Sequence, residues 1–443
     1  MKNKSVMKHQ FSQVPKAEIQ RSQFNRAHAH KTTLDAGYLV PFLVDEALPG
    51  DTFNVNSTLV ARLATPIFPV MDNMVMDTFY FAVPIRLVWD NFQKMMGEQV
   101  DPDDSTDYLI PQLTCPTGGY TEGSISDYFG LPVGVDNVDV SALWHRAYNL
   151  VYNEWFRDQN LQDSITVNKG DGPDLDSDYA LKRRGKRHDY FTSALPWPQK
   201  GPGVELPLGG TAPIDFGSSF YDVVTNSSNP NISTSEYSNQ NLNAKIGNDI
   251  VSVGTTTGTN RSFSWGDETG MKATAPTDAT ADLSAATAAT INSLRQAFQL
   301  QKLYERDARG GTRYVELLKA HFGVTSPDQR LQRPEYLGGG SAPVLINPVA
   351  ATSNFGRTLG DLAAYGTVSS HKNGFSKSFV EHSLIIGLVS VRADLTYQTG
   401  VPKMFSRQSR FDFFWPALAH LGEQAILNKE IYAQGTSADE DVF

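Results

Sequence analysis

The chain has 443 residues, 40% apolar and 11% aromatic, enough for a large core, while only 19% are charged, below the roughly 25% of ordinary soluble domains. A single cysteine, Cys115, excludes an intrachain disulfide and a cysteine-based zinc site, and no run approaches the roughly 20 apolar residues of a membrane span. The net charge of −10 argues against indiscriminate coating of nucleic acid, but residues 1–34 carry seven cations (Lys2, Lys4, Lys8, Lys16, Arg21, Arg26, Lys31) against Glu18, or +6, which leaves −16 on the rest.

Those first 34 residues lack a steady apolar period and read as an extended basic arm. Ordered structure is expected from Leu39-Val40-Pro41-Phe42 onward. After the turn Pro49-Gly50-Asp51, residues 53–63 alternate as a strand does. Residues 71–83 read as a second strand, with Met74, Met76, Thr78, Tyr80 and Ala82 on one face and Val75, Asp77, Phe79, Phe81 and Val83 on the other. Residues 85–97 and 141–159 read as helices. The second has Trp144, Tyr148, Val151 and Trp155 at helical spacing, a core stripe, with Ser141 or Asp139 available as its cap.

Asp174-Leu175-Asp176-Ser177-Asp178 copies the opening of a calcium loop, but Tyr179 stands where the tight-turn glycine belongs and Gly185 where the bidentate glutamate belongs. A solvated acidic loop facing the next cations is the expectation. Those cations, Lys182, Arg183, Arg184, Lys186 and Arg187, occupy five of six positions and are followed by Tyr190-Phe191 and by Trp197 between two prolines. Guanidinium and ammonium groups suit phosphates and aromatic faces suit stacked bases, so these residues and the arm are the candidate nucleic-acid contacts. The cluster could equally hold carboxylates of a neighbouring subunit.

From 205 to about 290 the composition turns to Ser, Thr, Asn, Gly and Ala, an exposed β-rich insertion in which residues 250–253 and 261–265 would pair as a hairpin. Residues 289–307 and 312–322 resume a helical period. Gly338-Gly339-Gly340 and nearby prolines read as a long loop. Leu384 to Val391 is apolar on both faces, as a strand buried between layers must be. The residues by themselves support a mostly β sandwich with inserted helices. No Walker loop, dinucleotide fingerprint or nucleophile elbow occurs, so no enzyme is expected, and no cofactor or metal.

Three stretches, 81–92 (Phe81-Ala82-Val83-Pro84-Ile85-Arg86-Leu87-Val88-Trp89-Asp90-Asn91-Phe92), 184–201 and 430–439 (Glu430-Ile431-Tyr432-Ala433-Gln434-Gly435-Thr436-Ser437-Ala438-Asp439), are long and rich in rare residues. Together they resemble the major capsid protein of microviruses, small icosahedral phages with single-stranded DNA, in the gokushovirus branch. The resemblance implies an eight-stranded antiparallel jelly roll of viral capsid type with large inserted loops and several helices. It also implies self-assembly into a T=1 icosahedral shell around circular single-stranded DNA, in the cytoplasm of a bacterial host. A homo-oligomeric shell, the genome, small internal, scaffolding or pilot proteins and a host surface receptor are the implied partners, with no membrane insertion.

On that reading 1–34 is the arm, 35–204 the first part of the core with the basic loop, 205–289 an insertion of the three-fold protrusion type used for host attachment, and 290–443 the second part of the core. Relatives usually continue past the 430–439 segment, so either this chain is a fragment or the strand they supply there is supplied in another way. A soluble jelly-roll module binding a receptor or glycan is the alternative, in which the arm is dispensable and no shell forms.

Overall fold

The computed structural model describes residues 22–66, 70, 72–204, six short strands between 214 and 281, and residues 291–350, 352, 358, 360, 362–419 and 424–443. The chain divides into two compact units, Met1–Pro198 with Gly310–Phe443, and Gln199–Arg309.

In the first unit, β1 (Val40–Ala47), β2 (Thr52–Arg62) and β3 (Met74–Pro84) follow in quick succession. A single 3-10 turn, Ile85–Leu87, and the short helix α1 (Phe92–Met95) replace the continuous helix expected over 85–97. The break has a tertiary cause. Trp89 Nε1 donates to Asp171 at 2.7 Å, Asn91 donates to the same carboxylate, and the Asp90 amide donates to the Lys169 carbonyl at 3.0 Å, which pulls the backbone out of helical register.

β4 (Gln112–Thr114), α2 (Ile125–Tyr128), β5 (Val140–Ser141), α3 (Leu143–Val151) and β6 (Asp174–Leu175) complete this part. β4 is the centre of a small sheet, antiparallel to β5 and parallel to β6. α3 begins at Ala142, which offers no side-chain cap, but the Leu143 amide donates to the Ser141 hydroxyl at 3.4 Å. Asp139 instead accepts from the Cys115 amide at 2.9 Å. The helix buries Leu143, Ala147, Tyr148 and Val151 and runs on into a wider turn, Tyr152–Phe156.

In the second unit six strands form three antiparallel pairs. β7 (Ile214–Asp215) pairs with β12 (Thr280–Ala281), β8 (Val223–Thr225) with β11 (Met271–Ala273), and β9 (Asn243–Ile246) with β10 (Asp249–Ser252). The three pairs nest about one centre between Ile246 and Asp249. The strand at 249–252 pairs with 243–246, and the expected hairpin partner 261–265 lies outside the described residues. The helix α4 (Ile291–Gly310) closes this segment.

α5 (Tyr314–Phe322) ends at Gly323, whose φ of 70° is the left-handed conformation that glycine adopts without strain. Then come β13 (Glu335–Pro343), β14 (Leu345–Ala350), β15 (Leu362–Ser378) and β16 (Ser383–Ala393). Two antiparallel sheets result, in the orders β1-β16-β3-β13 and β14-β15-β2. Tyr80, Ala82 and Ile385 from the first meet Phe53, Val55, Phe375 and Phe379 from the second, and farther along Val40, Met76 and Val389 meet Val368 and Leu59. The other face of the four-stranded sheet, with Phe81, Val83, Leu384, Ile386 and Leu388, is covered by α3 and the loops around Trp89, Leu113 and Tyr120.

Two burial patterns follow from this layering. β2 faces a layer on one side only and alternates strictly between half-buried and exposed, whereas β16 lies between two layers and is buried along most of its length. Each large side chain fully buried there contributes about 1.5–3 kcal/mol. The two expected faces of β3 divide between the two cores as read from the sequence.

The expected loop at Gly338–Gly340 is instead part of β13, opposite Tyr80, Phe79 and Thr78 of β3. A Cβ on Gly339 would overlap the Thr78 carbonyl oxygen, and one on Gly340 would overlap Asn373 of β15. The run is glycine because neighbouring chains pass too close for side chains. No helix among the described residues is long and apolar enough to cross a membrane.

Candidate nucleic-acid interface

The segment that follows the basic arm, residues 37–39, meets the start of the 182–187 cation cluster. Residues 37–39 run antiparallel beside 182–184: the Leu39 amide donates to the Lys182 carbonyl at 2.9 Å, the Arg184 amide donates to the Gly37 carbonyl at 2.8 Å, and Tyr38 bridges Arg183. Tyr148 of α3 clamps both strands, its hydroxyl donating to the Leu39 carbonyl at 2.9 Å and accepting from the Lys182 amide at 3.0 Å. Tyr38 and Arg183, 145 residues apart in sequence, are thus held side by side.

The cations are unequally available. Arg184 pairs with Asp77 at 2.5 Å and lies over the Phe79 ring, and Arg187 donates to both oxygens of the same carboxylate at 3.1 Å and faces Asp394 at 3.7 Å. Lys186 pairs with Asp189 and sits 4.1 Å above the Tyr397 ring. Arg183 is exposed, stacks on Tyr38 and donates to its hydroxyl at 3.2 Å, and Lys182 is half-buried. Burial opposes ionisation of Asp77, but hydrogen bonds from Ser341, Arg184 and Arg187 outweigh it and hold the carboxyl below its usual range. Asp189 is likewise held low, the pull of Lys186 and Thr192 overcoming desolvation.

In the arm, Arg26 is exposed and paired with Asp45 of β1 at 2.5 Å, and Lys31 is exposed. Lys2, Lys4, Lys8, Lys16 and Arg21 lie outside the described residues. Of the candidate stacking residues, Tyr190 is 57% exposed, Phe191 is half-buried and meets Tyr190 and Tyr397 edge-on, and Trp197 is half-buried.

The acidic 174–178 segment is only partly the solvated loop expected: Asp178 is exposed and Asp176 half-buried, but its first carboxylate is not free to face these cations. Asp174 is buried and binds Arg146, Asn168 and Tyr179, while the cations have found Asp77, Asp189 and Asp394. A sequence neighbour lost to distant carboxylates because the sheet brings Asp77 and Asp394 under the loop.

A second cationic and aromatic surface escaped the sequence reading. Beyond β16, Met404, Phe405, Phe411, Phe413, Phe414 and Trp415 are exposed, Phe414 by 80%, with Arg407 over Phe413 and Arg410 over Phe411. The alternation of Arg and Phe between 405 and 415 is the signal that marks it.

A family model described as capsid protein (F protein) matches residues 12–443. The chain belongs to this capsid protein family. It is 50% identical over 442 residues to capsid protein VP1 of Bdellovibrio phage phiMH2K, covering 98% of this chain and 81% of that one. It is 42% identical to capsid protein VP1 of Chlamydia phage 1, over 97% of this chain and 80% of the other, and 36% identical to capsid protein VP1 of Spiroplasma virus 4, over 98% and 81%. The resemblance to microvirus capsid proteins of gokushovirus type is thereby borne out. The family is one of structural capsid proteins, not of enzymes, and its setting is the oligomeric shell of a virion.

Proposed function

We propose that this capsid protein assembles, in the cytoplasm of a bacterial host, into a T=1 icosahedral shell that packages circular single-stranded DNA. The observation that carries the reading is the exposed aromatic surface from Met404 to Trp415 in a member of a capsid family, because so much apolar area in one stretch calls for coverage by further protein. The two sheets, of four and three strands among the described residues, form the body of a jelly roll whose full count is eight strands, built from 35–204 and 290–443.

The genome contact is electrostatic and nearly independent of base sequence. Lys2, Lys4, Lys8, Lys16, Arg21, Arg26 and Lys31 of the arm and Lys182, Arg183, Arg184, Lys186 and Arg187 supply the charge. Tyr190, Phe191 and Trp197 offer faces to unpaired bases, and the joining of residues 37–39 to 182–184 favours one continuous surface for both. The insertion 205–289 serves host attachment through a surface receptor, and small internal, scaffolding or pilot proteins join the particle.

Nuclease protection tests this. Particles purified after expression with circular single-stranded DNA are to be treated with nuclease and their DNA recovered. Protected circles are expected, and complete digestion under conditions where particles stay intact would contradict packaging.

A further inference from the structure

β16 carries an arginine in an unusual position. Arg392 is 7% exposed, and its Nε and Nη2 have no hydrogen-bond partner, while Nη1 donates to the Gly185 carbonyl. Nε and Nη2 form the side edge of the guanidinium, two parallel donors spaced for two oxygens of one anion. The same edge of Arg146 grips Asp174 elsewhere in this chain. On β16, Ser390 stands directly opposite Asp77 of β3, so Ser390 and Arg392 leave the sheet on the face that Asp77 occupies. The Ser390 hydroxyl is fully buried and also unpartnered.

The charges around this point do not balance. Arg184, Arg187 and Arg392 surround Asp77 and Asp394, three cations against two anions. Burial, and then the repulsion of Arg184 and Arg187, push the Arg392 guanidinium below its ordinary value, yet an arginine stays charged. A buried, charged donor edge without an acceptor is costly, and an oxyanion relieves both the charge surplus and the unmet bonds. Arg187, with its side chain 42% exposed, stands at the rim beside exposed Gly185 and Arg183. Cations at the rim and the exposed Tyr190 ring nearby in the chain favour a polyanion over a lone carboxylate.

We propose that Arg392, with Ser390 and Arg187, forms a binding site for a phosphate group, and that the backbone of single-stranded DNA supplies it. The choice of DNA as the source rests on the packaging reading above, whereas the anion site itself does not.

Two measurements on the full chain test it. In the first, thermal unfolding is followed in sodium phosphate and in sodium chloride of equal ionic strength. Wild type is expected to gain several degrees in phosphate, and Arg392→Met to gain nothing. Equal midpoints for wild type in the two salts would overturn the site without recourse to any variant.

In the second, a labelled thymidine oligonucleotide is titrated at several salt concentrations. Arg392→Met is expected to bind about tenfold more weakly, with the slope of log affinity against log salt shallower by about 0.7, one phosphate contact on a single strand. Arg392→Met removes the surplus charge, so the fold is expected to survive. If it does not, Arg187→Gln at the rim is expected to give a smaller loss in the same direction. Stabilisation of wild type by phosphate with unchanged oligonucleotide binding would assign the site to free phosphate and overturn the DNA source. If the variant forms particles normally but loses the mutual association of subunits in DNA-free solution, the ligand is a carboxylate of a second copy and the proposal fails. Absence of particles from wild type would instead count against the packaging reading, leaving the phosphate arm of the test intact.

Discussion

Arg146 of α3 holds Asp174 of β6 through two bonds of 2.7 Å, and both side chains are out of solvent. Asn168 and Tyr179 bind the same carboxylate, and Arg146 Nη1 donates to the carbonyls of Val88 and Gly170. The pair therefore ties α3, the loop around Val88 and the 168–179 segment into one body. Removing one partner strands a buried charge, so Arg146→Met is expected to lower stability by about 3–5 kcal/mol, read as a shift of the urea unfolding midpoint. Stability unchanged within error would show that the pair is replaceable.

His145, the neighbour of that arginine, makes the fold acid-sensitive. Burial drives its pKa down to about 4, only partly offset by the Asp174 charge. The ring lies edge-on between Phe129 and Tyr179, with Nε2 on the Ser126 hydroxyl and Nδ1 unpartnered. Because the folded value is depressed, the unfolded chain takes up a proton first as the pH falls. Stability contributed by the neutral ring is complete above about 6.5 and is lost progressively down to about 4. The loss is of order 3 kcal/mol, from the difference between those two values. Unfolding midpoints measured from pH 7 to 4 should fall for wild type and fall less for His145→Phe. Parallel curves would refute the assignment.

Asp174 adds a second acid step. Burial opposes its ionisation, but Arg146, Tyr179 and Asn168 hold its carboxyl below the usual range. Its stabilisation is present above the unfolded value near 3.9 and disappears as pH falls through the folded value. In Asp174→Asn, the loss of stability below pH 4 should be reduced, as followed by near-ultraviolet dichroism.

The glycines of β13 should tolerate nothing larger. Gly339→Ala would drive a methyl group into the Thr78 backbone, which has no flexible end to yield, and is expected to cost about 1–3 kcal/mol. Gly323→Ala forces a left-handed residue and should cost about 1 kcal/mol, but Gly185→Ala, which meets open space, should cost little. Three equal midpoints would argue that β13 does not pack against β3 as described.

The insertion should be separable. Its six strands pair only with one another among the described residues. Replacing 205–289 with a Gly-Ser linker is expected to leave the unfolding midpoint of the remainder unchanged and to abolish adsorption to host cell envelopes. An insoluble remainder would contradict independence of folding, and unchanged adsorption would contradict the attachment role.

Much of this architecture is legible in the residues, and the gaps have physical causes. β16 can be read because an apolar run on both faces has few alternatives to burial between layers, and β3 because its two faces carry different side chains. β13 cannot, because three glycines signal a loop unless the close passage of β15 is known. The cations of 182–187 are plain in the sequence, yet their true partners, Asp77 and Asp394, lie about 110 residues before and 200 after and meet only through the β3–β16 pairing. Arg392 is hidden for the same reason, since it reads as the polar end of a strand until its neighbours are in place.

The measurement that bears most directly on the whole account is the mass of the purified chain by light scattering, with and without circular single-stranded DNA, at low and high salt. Particles of roughly 3 MDa, about sixty copies of the 48.8 kDa chain, more abundant with DNA and fewer as salt rises, are the predicted result. A monomer at every salt concentration, indifferent to DNA, would contradict it.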